Sequence, residues 1–354
     1  MKWFQKKLKE YSKLRGYQKP EKHSNVMKLD SNENYAIDPA FSSDIIEKAN
    51  QLSDVREYPL GRAEKLVEAI SDYIKVPTKM IGIGNGSDQI IDLFLANFVS
   101  DNTRVITTDP TFGFFEERCK LYSIPTIKIP FSKNMTLELK KFLSKGRESD
   151  ILYLDSPNNP TGFQFAKKDL QKLINEFRGM VIIDEAYVEF ADYSVVQLAK
   201  KKDNLIVVRT LSKAFGLAGL RLGYFVANKE LVDVFSRVIQ YPYPLNSIAI
   251  EAGILALKKS KYLLDVANTV KKERGIIIQK LRNTGAFEVF DSNANFVLFN
   301  AKGGYRRFYT ALLEQGIVIR IIGKIGKNAG CLRVTVGTPQ MNSKFLLAVR
   351  DLLK

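Results

Sequence analysis

The amino-acid sequence predicts an α/β fold with a mostly parallel sheet, and two observations support that prediction. Short apolar runs recur along the chain, and each run ends in a polar loop before the next element. In a parallel sheet such loops gather at the carboxyl ends of the strands, where ligands bind. The chain has 354 residues, of which 45% are hydrophobic, so it can bury a full core. The apolar runs are residues 80–83, 104–108, 151–154, 180–183, 205–208 and 224–226.

The pattern changes in the last third of the chain. Residues 247–281 have a helical pattern. Three short strand-like runs follow, at residues 295–299, 316–320 and 331–336. Helices and strands without a glycine-rich ligand loop predict a smaller α/β domain. The expected division is an N-terminal arm over residues 1–35, a large ligand-binding domain over residues 36–250 and a small C-terminal domain over residues 251–354.

The balance of charge narrows the possible functions. The net charge is +16, from 54 lysines and arginines against 38 acids, which raises the possibility of a nucleic-acid-binding module. The basic residues are spread along the chain, however, and no nucleic-acid-binding motif accompanies them. We therefore expect the charge to attract small anions, including phosphorylated ones. The single histidine, His23, makes imidazole catalysis hard to supply and is consistent with lysine-centred chemistry.

Several other classes are disfavoured. No apolar run approaches the length needed to cross a bilayer, so we expect no membrane span. The first residues are charged and lack the apolar block of a secretory signal, which predicts a cytoplasmic protein. Cys119 and Cys331 lie far apart without zinc-ligand spacing, so we expect neither a disulfide framework nor a metal site.

The most informative stretch is residues 209–224, which read RTLSKAFGLAGLRLGY. A polar loop with one lysine, Lys213, follows an apolar run, and a glycine-rich segment then returns Arg221 beside it. A lysine that is partly desolvated in such a loop has a lowered pKa, which makes its neutral amine available for a Schiff base. Thr210 and Ser212 supply hydroxyls, and Arg221 supplies a fork suited to phosphate. The alternative is that Lys213 and Arg221 are ordinary solvated cations.

This stretch resembles the lysine region of fold type I pyridoxal-phosphate enzymes, and specifically of histidinol-phosphate aminotransferases. The resemblance implies that Lys213 forms the covalent link to pyridoxal 5′-phosphate, and that Thr210, Ser212 and Arg221 belong to the cofactor site. It extends over residues 30–338, where further motifs occur in the order of the family. The fold that it implies is a large domain with a mostly parallel sheet, a smaller C-terminal α/β domain and an N-terminal arm.

The glycine-rich loop after the first apolar run resembles the family's phosphate loop. Residues 82–88 read GIGNGSD, in which glycines let the backbone approach a ligand and the amides that begin the next helix attract an anion. The resemblance implies that Gly86, Ser87 and Asp88 contact the cofactor phosphate. Taken alone, the loop is also compatible with an ordinary α/β turn.

Two loops resemble the family's contacts to the cofactor ring. Phe112 stands where the family has an aromatic residue stacked on the ring, although as a phenylalanine it lacks the phenol hydroxyl. Its alternative is a core position. Residues 157–162, PNNPTG, match the family motif in which the second asparagine, Asn159, bonds the ring oxygen. A loop of this composition alone would be an ordinary turn.

Asp184 ends an apolar run, where an acid is costly to bury without a cationic partner. The resemblance implies that this partner is the protonated ring nitrogen of the cofactor, and that Tyr187 bonds the ring oxygen. The alternative is that Asp184 caps a helix.

Two motifs in the first sixty residues carry further expectations. Residues 56–59, REYP, resemble a motif whose tyrosine crosses a dimer interface to the partner's cofactor phosphate, which implies a homodimer and this role for Tyr58. The alternative for Tyr58 is a half-buried surface aromatic. Residues 29–35, LDSNENY, resemble a substrate segment, which makes Asn34 and Tyr35 candidates; Tyr35 stands where proline is usual.

Two arginines complete the candidate site. Arg320 ends one strand-like run and Arg333 lies within another, where an inward guanidinium requires an anion. Residues 332–338, LRVTVGT, resemble the family pattern whose arginine binds the substrate carboxylate or phosphate, which we assign to Arg333 and, by analogy, to Arg320.

The implied activity is amino-group transfer between glutamate or 2-oxoglutarate and histidinol phosphate or imidazole acetol phosphate, in histidine biosynthesis. An aromatic-amino-acid aminotransferase and a threonine-phosphate decarboxylase remain alternatives, because they use nearly the same cofactor shell. We expect small amino-acid and phosphorylated substrates, without nucleic acid or membrane as partners.

Overall fold

The computed structural model describes residues 2–19 and 21–354. The strands are β1 (Met27–Lys28), β2 (Ile81–Asn85), β3 (Val105–Asp109), β4 (Thr126–Pro130), β5 (Ile151–Asp155), β6 (Met180–Asp184), β7 (Leu205–Thr210), β8 (Leu222–Val226), β9 (Glu288–Val289), β10 (Phe296–Asn300), β11 (Ile317–Val318), β12 (Arg320–Ile325) and β13 (Asn328–Thr335). The α-helices are α1 (Lys2–Tyr11), α2 (Pro39–Gln51), α3 (Arg62–Ile74), α4 (Gly86–Phe98), α5 (Gly113–Leu121), α6 (Leu139–Lys145), α7 (Lys167–Glu176), α8 (Lys229–Val234), α9 (Ser247–Lys258), α10 (Ser260–Asn283), α11 (Tyr305–Glu314) and α12 (Pro339–Leu352).

The main sheet has the strand order β2-β8-β7-β6-β5-β3-β4. Strand β8 runs antiparallel to both of its neighbours, and the other pairs are parallel, so the prediction of a mostly parallel sheet is confirmed. Strands β5, β7 and β8 are buried along their whole length. Strands covered on both faces read as continuous apolar runs, which is why the sequence revealed them.

Side chains alternate between the two faces of this sheet. On β5, Leu152 and Leu154 join the larger core cluster, whereas Ile151 and Tyr153 join a second cluster on the other face. This alternation has period two, because successive side chains of a strand point to opposite faces. It also turns consecutive polar residues at the end of a strand, such as Asp184 and Glu185, toward opposite sides of the sheet.

The small sheet is antiparallel, with the order β12-β13-β10-β9. The strand-like runs at residues 295–299 and 331–336 correspond to β10 and β13, and the run at residues 316–320 divides between β11 and the start of β12.

The boundary that we expected between residues 250 and 251 falls inside α9, which packs against α2 and α3.

The segment expected to be an arm has two parts, and residues 1 and 20 lie outside the described residues. Helix α1 buries none of its side chains. Strand β1 instead pairs in parallel with β11, and Leu29 continues this pairing through backbone hydrogen bonds to Val318 and Thr335. The pairing brings the residues after β1 onto the small sheet. Within residues 2–19 and 21–354, no helix combines the length and apolarity that a bilayer crossing requires.

Candidate active site

A cavity of about 780 Å³ lies at the carboxyl edge of the main sheet, where the small sheet faces it. Because the carboxyl ends of parallel strands meet at one edge, the polar loops after β3, β5, β6 and β7 converge there. Most of the residues that we singled out line this cavity. They are Ser87, Asp88, Phe112, Asn159, Asp184, Tyr187, Thr210, Ser212, Lys213, Arg221, Arg320 and Arg333.

The Lys213 amine lies in the interior of the cavity. It donates to the backbone carbonyl of Ser31 at 3.4 Å and lies 5.7 Å from the centroid of the Tyr187 ring. Burial lowers the pKa of Lys213 from its ordinary value, and the nearby Arg333 guanidinium lowers it further. No carboxylate among the described residues forms a salt bridge with this amine. The neutral amine that a nucleophile or base requires is therefore accessible here.

Asp184 is buried at the end of β6, with 4% of its surface exposed. Its carboxylate accepts hydrogen bonds from the Tyr153 hydroxyl at 2.9 Å and from the Ala186 amide at 3.0 Å. Neither donor is charged, and burial raises the pKa of Asp184 to about 6. The turn after Asp184 leads into a short 3₁₀ segment rather than an α-helix, so the residue does not cap one. A buried acid without a cation fits the protonated ring nitrogen of a pyridine cofactor.

An anion cradle lies at the N-terminus of α4. Free amides at the start of a helix attract negative groups. The Arg221 guanidinium donates to the Ser212 hydroxyl at 3.3 Å, and the Thr210 hydroxyl lies 2.9 Å from that of Ser212. Gly86 has φ +78°, and a Cβ there would lie 2.5 Å from Arg221 Nη2. The glycine therefore provides the room in which this arginine reaches the cradle.

Asp88 and Gly223 also shape this cradle, although neither carries a positive charge that could bind an anion. The Asp88 carboxylate accepts from Arg221 Nη2 at 2.8 Å. Because an acid repels phosphate, this contact indicates that Asp88 orients Arg221. Gly223 was not singled out from the sequence, yet a Cβ there would lie 2.4 Å from the Ser87 amide nitrogen. Only glycine allows β8 to pass so close to the start of α4.

The wall of the cavity carries the groups expected around a cofactor ring. The Tyr187 hydroxyl accepts from Asn32 Nδ2 at 2.9 Å, and burial raises the pKa of Tyr187 to about 12, so its hydroxyl stays protonated at neutral pH. The Asn159 side-chain oxygen accepts from Arg333, which leaves the NH₂ group of Asn159 as a donor. The Phe112 ring lines the cavity and also packs, partly buried, against the second core cluster, and its stacking on a cofactor ring stays a prediction.

The two predicted arginines face each other on adjacent strands. Arg320 of β12 and Arg333 of β13 are register partners. Arg333 is 7% exposed, donates to the Asp30 carbonyl at 2.8 Å and has a buried Nε without a partner among the described residues. Arg320 donates to the carbonyl of Gln18 at 2.8 Å. Two arginines that bond neutral oxygens leave capacity for a bound anion.

Besides Gly86, which supports the cradle from behind Arg221, three candidates lie outside the cavity lining. Asn34 donates to the Ala214 carbonyl at 2.8 Å and thereby supports the loop that carries Lys213. Tyr35 is 37% exposed and donates to Glu33. Tyr58 is 71% exposed, and its ring stacks on that of Tyr243 with centroids 4.5 Å apart. The roles that the resemblance implies for these residues stay predictions.

Besides Gly223, sequence reasoning missed Tyr17, Asn32, Tyr153 and Asp155. Tyr17 and Asn32 line the cavity, but nothing in the local sequence around Tyr17 indicates this. Tyr153 donates to Asp184 from the middle of an apolar run, where its ring resembles any core aromatic. Asp155 ends its apolar run just as Asp184 does, so the signal that identified one acid was also present for the other.

Comparisons with known proteins agree with this geometry. Residues 24–349 match the model of the aminotransferase class I and II family. The chain is 33% identical to the histidinol-phosphate aminotransferase of Thermoanaerobacter pseudethanolicus, over 96% of this chain and 97% of the relative. The structure of the histidinol-phosphate aminotransferase from Clostridium acetobutylicum matches with a TM-score of 0.83 and 28% identity, over 93% of this chain and 99% of that one. The enzyme of that name from Sinorhizobium meliloti, solved with pyridoxal-5′-phosphate, shares the fold at 22% identity, with a TM-score of 0.85 over 93% of this chain and 91% of that one.

Proposed function

This chain belongs to the aminotransferase class I and II family, and from that premise we propose that it is a histidinol-phosphate aminotransferase. It exchanges an amino group between glutamate or 2-oxoglutarate and histidinol phosphate or imidazole acetol phosphate, a reaction of histidine biosynthesis. The names of several relatives that match over more than nine tenths of this chain support the substrate assignment. The observation that carries the chemistry is the desolvated Lys213 amine in one cavity with Asp184 and the anion cradle.

The cofactor is pyridoxal 5′-phosphate, and the residues present fit it. When bound, it supplies a protonated ring that withdraws electrons from the substrate carbon bearing the amino group. Asp184 would hold the proton on the ring nitrogen, because no cation among the described residues pairs with its carboxylate. Ser87, Ser212 and Arg221 would bind the phosphate, and Asp88 holds Arg221 in place.

Lys213 performs the proton transfer. Its amine would accept the proton that leaves the substrate carbon, and the lowered pKa favours the neutral form that this step requires. Tyr187 and Asn159 line the cavity, and the Tyr187 hydroxyl and the Asn159 NH₂ group would donate to the ring oxygen of a bound cofactor. Both side chains are held by other residues, Tyr187 by Asn32 and Asn159 by Arg333, so they are oriented before substrate arrives.

The two arginines make the cavity selective for anionic substrates. Arg333 can bind the carboxylate of glutamate, because it lines the cavity and its guanidinium bonds only neutral oxygens among the described residues. Arg320, beside it, adds a second positive charge at the same wall and suits the phosphate of histidinol phosphate. The overall charge of +16 favours the approach of such molecules.

A half-reaction assay tests the substrate assignment. The purified protein loaded with cofactor is mixed with histidinol phosphate, phenylalanine or threonine phosphate, and the change in cofactor absorbance is followed. We expect the fastest change with histidinol phosphate. A faster change with phenylalanine would favour an aromatic aminotransferase, and release of carbon dioxide from threonine phosphate without a keto product would favour the decarboxylase.

A lysine substitution tests the chemistry. Lys213→Ala should abolish borohydride-dependent labelling by the cofactor and turnover together. Lys128→Ala is the matched control, because Lys128 lines the same cavity but pairs with Glu116 at 2.6 Å. Normal turnover in Lys213→Ala would refute the assignment.

The same proposal includes a homodimer that works in the cytoplasm. Tyr58 stacks on Tyr243, and the exposed side chains of Val55, Leu60 and Tyr241 lie within three residues of one or the other along the chain; we call these five residues the exposed apolar patch. A patch of this kind marks an interaction surface, and a second copy is the partner that the Tyr58 motif implies. Both cysteines are buried free thiols, which suits a reducing compartment.

Mixed dimers test whether Tyr58 serves the partner's site. Tyr58→Ala and Lys213→Ala chains should each be impaired alone. When they are mixed and allowed to exchange subunits, one of the two sites regains both residues, and activity should recover in part. Monomers in sedimentation analysis, or mixtures no more active than their components, would contradict the dimer.

A further inference from the structure

A second buried carboxylate lies beside Asp184. Asp155 ends β5 and is the register partner of Asp184 on β6. Its side chain is 3% exposed and lines the cavity. Among the described residues no lysine or arginine forms a salt bridge with it. The sheet therefore places two acids next to each other, and neither has a cation from the chain.

The Asp155 carboxylate connects two loops through hydrogen bonds. One oxygen accepts from the Thr111 hydroxyl at 3.2 Å and from Asn158 Nδ2 at 2.8 Å. The other oxygen accepts from the Asn159 backbone amide at 2.8 Å. Thr111 precedes Phe112 in the loop after β3, and Asn158 and Asn159 lie in the loop after β5. One carboxylate thus holds the backbone of Asn159 and the residue next to Phe112.

This arrangement is costly for the fold. Burial raises the pKa of Asp155 to about 7, well above its ordinary value, which shows that the ionised form is disfavoured in the folded chain. A neutral side chain would avoid that cost, because buried charges without a counterion destabilise a protein. A costly group at a cavity wall points to a role in the site rather than in the core.

We propose that Asp155 is a positioning residue of the cofactor site, and that its carboxylate fixes Asn159 and the loop of Phe112 in the places where a bound cofactor ring would contact them. The inference rests on the proposed function only for the identity of the cofactor. Asp155 acts through Asn159 and through Thr111, and it takes no part in proton transfer.

The decisive variant is Asp155→Asn. Asparagine has the same size, but one of its two polar groups is a donor, so it cannot accept from both the Asn159 amide and the pair formed by Thr111 and Asn158. We expect the Kd for pyridoxal phosphate, measured by fluorescence on the cofactor-free protein, to rise about 10- to 100-fold. The pH at which the absorbance of the bound cofactor changes should also shift, because the Asn159 contact to the ring oxygen loosens.

Asp150→Asn is the matched control. Asp150 is a buried acid just before the other end of β5, and it pairs with Arg104 at 2.6 Å and with Arg147 at 3.2 Å. Its variant should lower the unfolding midpoint of the cofactor-free protein without changing the Kd for the cofactor. Cofactor-free Asp155→Asn should unfold at or above the midpoint of the unsubstituted protein.

A second variant keeps the test decisive if Asp155→Asn does not fold. Thr111→Val removes one donor to the carboxylate and should raise the Kd by about threefold to tenfold. An unchanged Kd and an unchanged absorbance titration in the folded variants would overturn the role of Asp155. A protein that binds the cofactor but does not react with histidinol phosphate would instead contradict the proposed substrate and leave this test intact.

Discussion

Asp184 and Glu185 are consecutive acids with opposite surroundings. Both follow the apolar part of β6 and both are buried, with 4% and 2% of their surfaces exposed. Glu185 pairs with Arg209 at 2.8 Å and accepts further hydrogen bonds from the Ser194 hydroxyl and the Val195 amide. Among the described residues, Asp184 accepts only from neutral donors, Tyr153 and Ala186. The two acids point to opposite sides because side chains alternate along a strand.

The different surroundings of Asp184 and Glu185 indicate that the two sides of the sheet have different tasks, one in stability and one in function. At Glu185, on the side turned away from the cavity, the chain supplies the cation itself, Arg209. At the cavity, it leaves Asp184 without a cation and Arg333 without a carboxylate among the described residues. Burial raises the pKa of Asp184 and lowers that of Lys213, so both groups resist carrying charge until a ligand supplies the partner. Under the proposed function, the cofactor would supply the missing partner of Asp184 and the substrate that of Arg333.

We call the side of the sheet that carries Glu185 and Arg209, away from the cavity, the closed face. Breaking the Glu185–Arg209 pair there should have the largest effect on folding. Arg209→Met leaves the Glu185 carboxylate buried without its cation, which should lower the free energy of unfolding by about 3–5 kcal/mol. Urea unfolding of the cofactor-free protein measures this loss. The double variant Arg209→Met with Glu185→Gln should recover part of it, because no unpaired charge then remains. If Arg209→Met were as stable as the unsubstituted protein, Glu185 would not depend on its cation, and its surroundings would not differ in effect from those of Asp184.

The corresponding change at the cavity should affect function instead. Asp184→Asn removes a carboxylate that has no cation in the chain, so the cofactor-free protein should keep or gain stability. Turnover should fall about 100-fold, or about 2.7 kcal/mol, because nothing then holds the proton on the ring nitrogen. Kinetics of the loaded enzyme and unfolding of the cofactor-free protein should be measured on the same preparation. A large loss of stability in Asp184→Asn with unchanged turnover would mean that Asp184, like Glu185, serves the fold rather than the reaction.

The pH dependence of stability should reveal the unpaired acid. The pKa of folded Asp184 is about 6, against an ordinary value of 3.8, so between these values the folded state binds more protons than the unfolded state. Its contribution to stability must therefore fall as pH rises through that window, by up to about 1.4 kcal/mol per pH unit. The difference in unfolding free energy between the unsubstituted protein and Asp184→Asn, measured from about pH 4 to about pH 6, isolates this slope. A flat difference would mean that some cation already pairs with Asp184.

The strands that carry this contrast could be predicted because each is a continuous apolar run with a polar end. Strands β5, β6 and β7 and the positions of Asp184 and Lys213 follow from that pattern. Strands β1 and β9 could not be predicted, because two residues show no periodicity and form strands only through pairing with distant segments.

The hydrogen-bonding partners of Asp184 and Glu185 also could not be predicted from local sequence patterns. Arg209 lies 24 residues after Glu185 and Tyr153 lies 31 residues before Asp184, so only the strand register brings them together. Tyr17 reaches the cavity beside Gln18, whose carbonyl accepts from Arg320, 302 residues away. Asp155 could have been identified, because it satisfies the criterion that singled out Asp184; what could not be foreseen is that its donors come from two different loops.

The smallest expected effect comes from the phenol that supports Asp184. Tyr153→Phe removes the hydroxyl at 2.9 Å but keeps the ring, which stacks on Phe115 with centroids 3.6 Å apart. Cofactor affinity should fall about fivefold, or about 1 kcal/mol, because the Asp184 carboxylate loses one of its two donors. Tyr224→Phe is the control, since Tyr224 is an equally buried phenol whose hydroxyl lies 3.5 Å from Arg209 on the closed face. It should change unfolding and leave cofactor binding unaltered; equal effects of both variants on cofactor affinity would show that the two faces are coupled rather than separate.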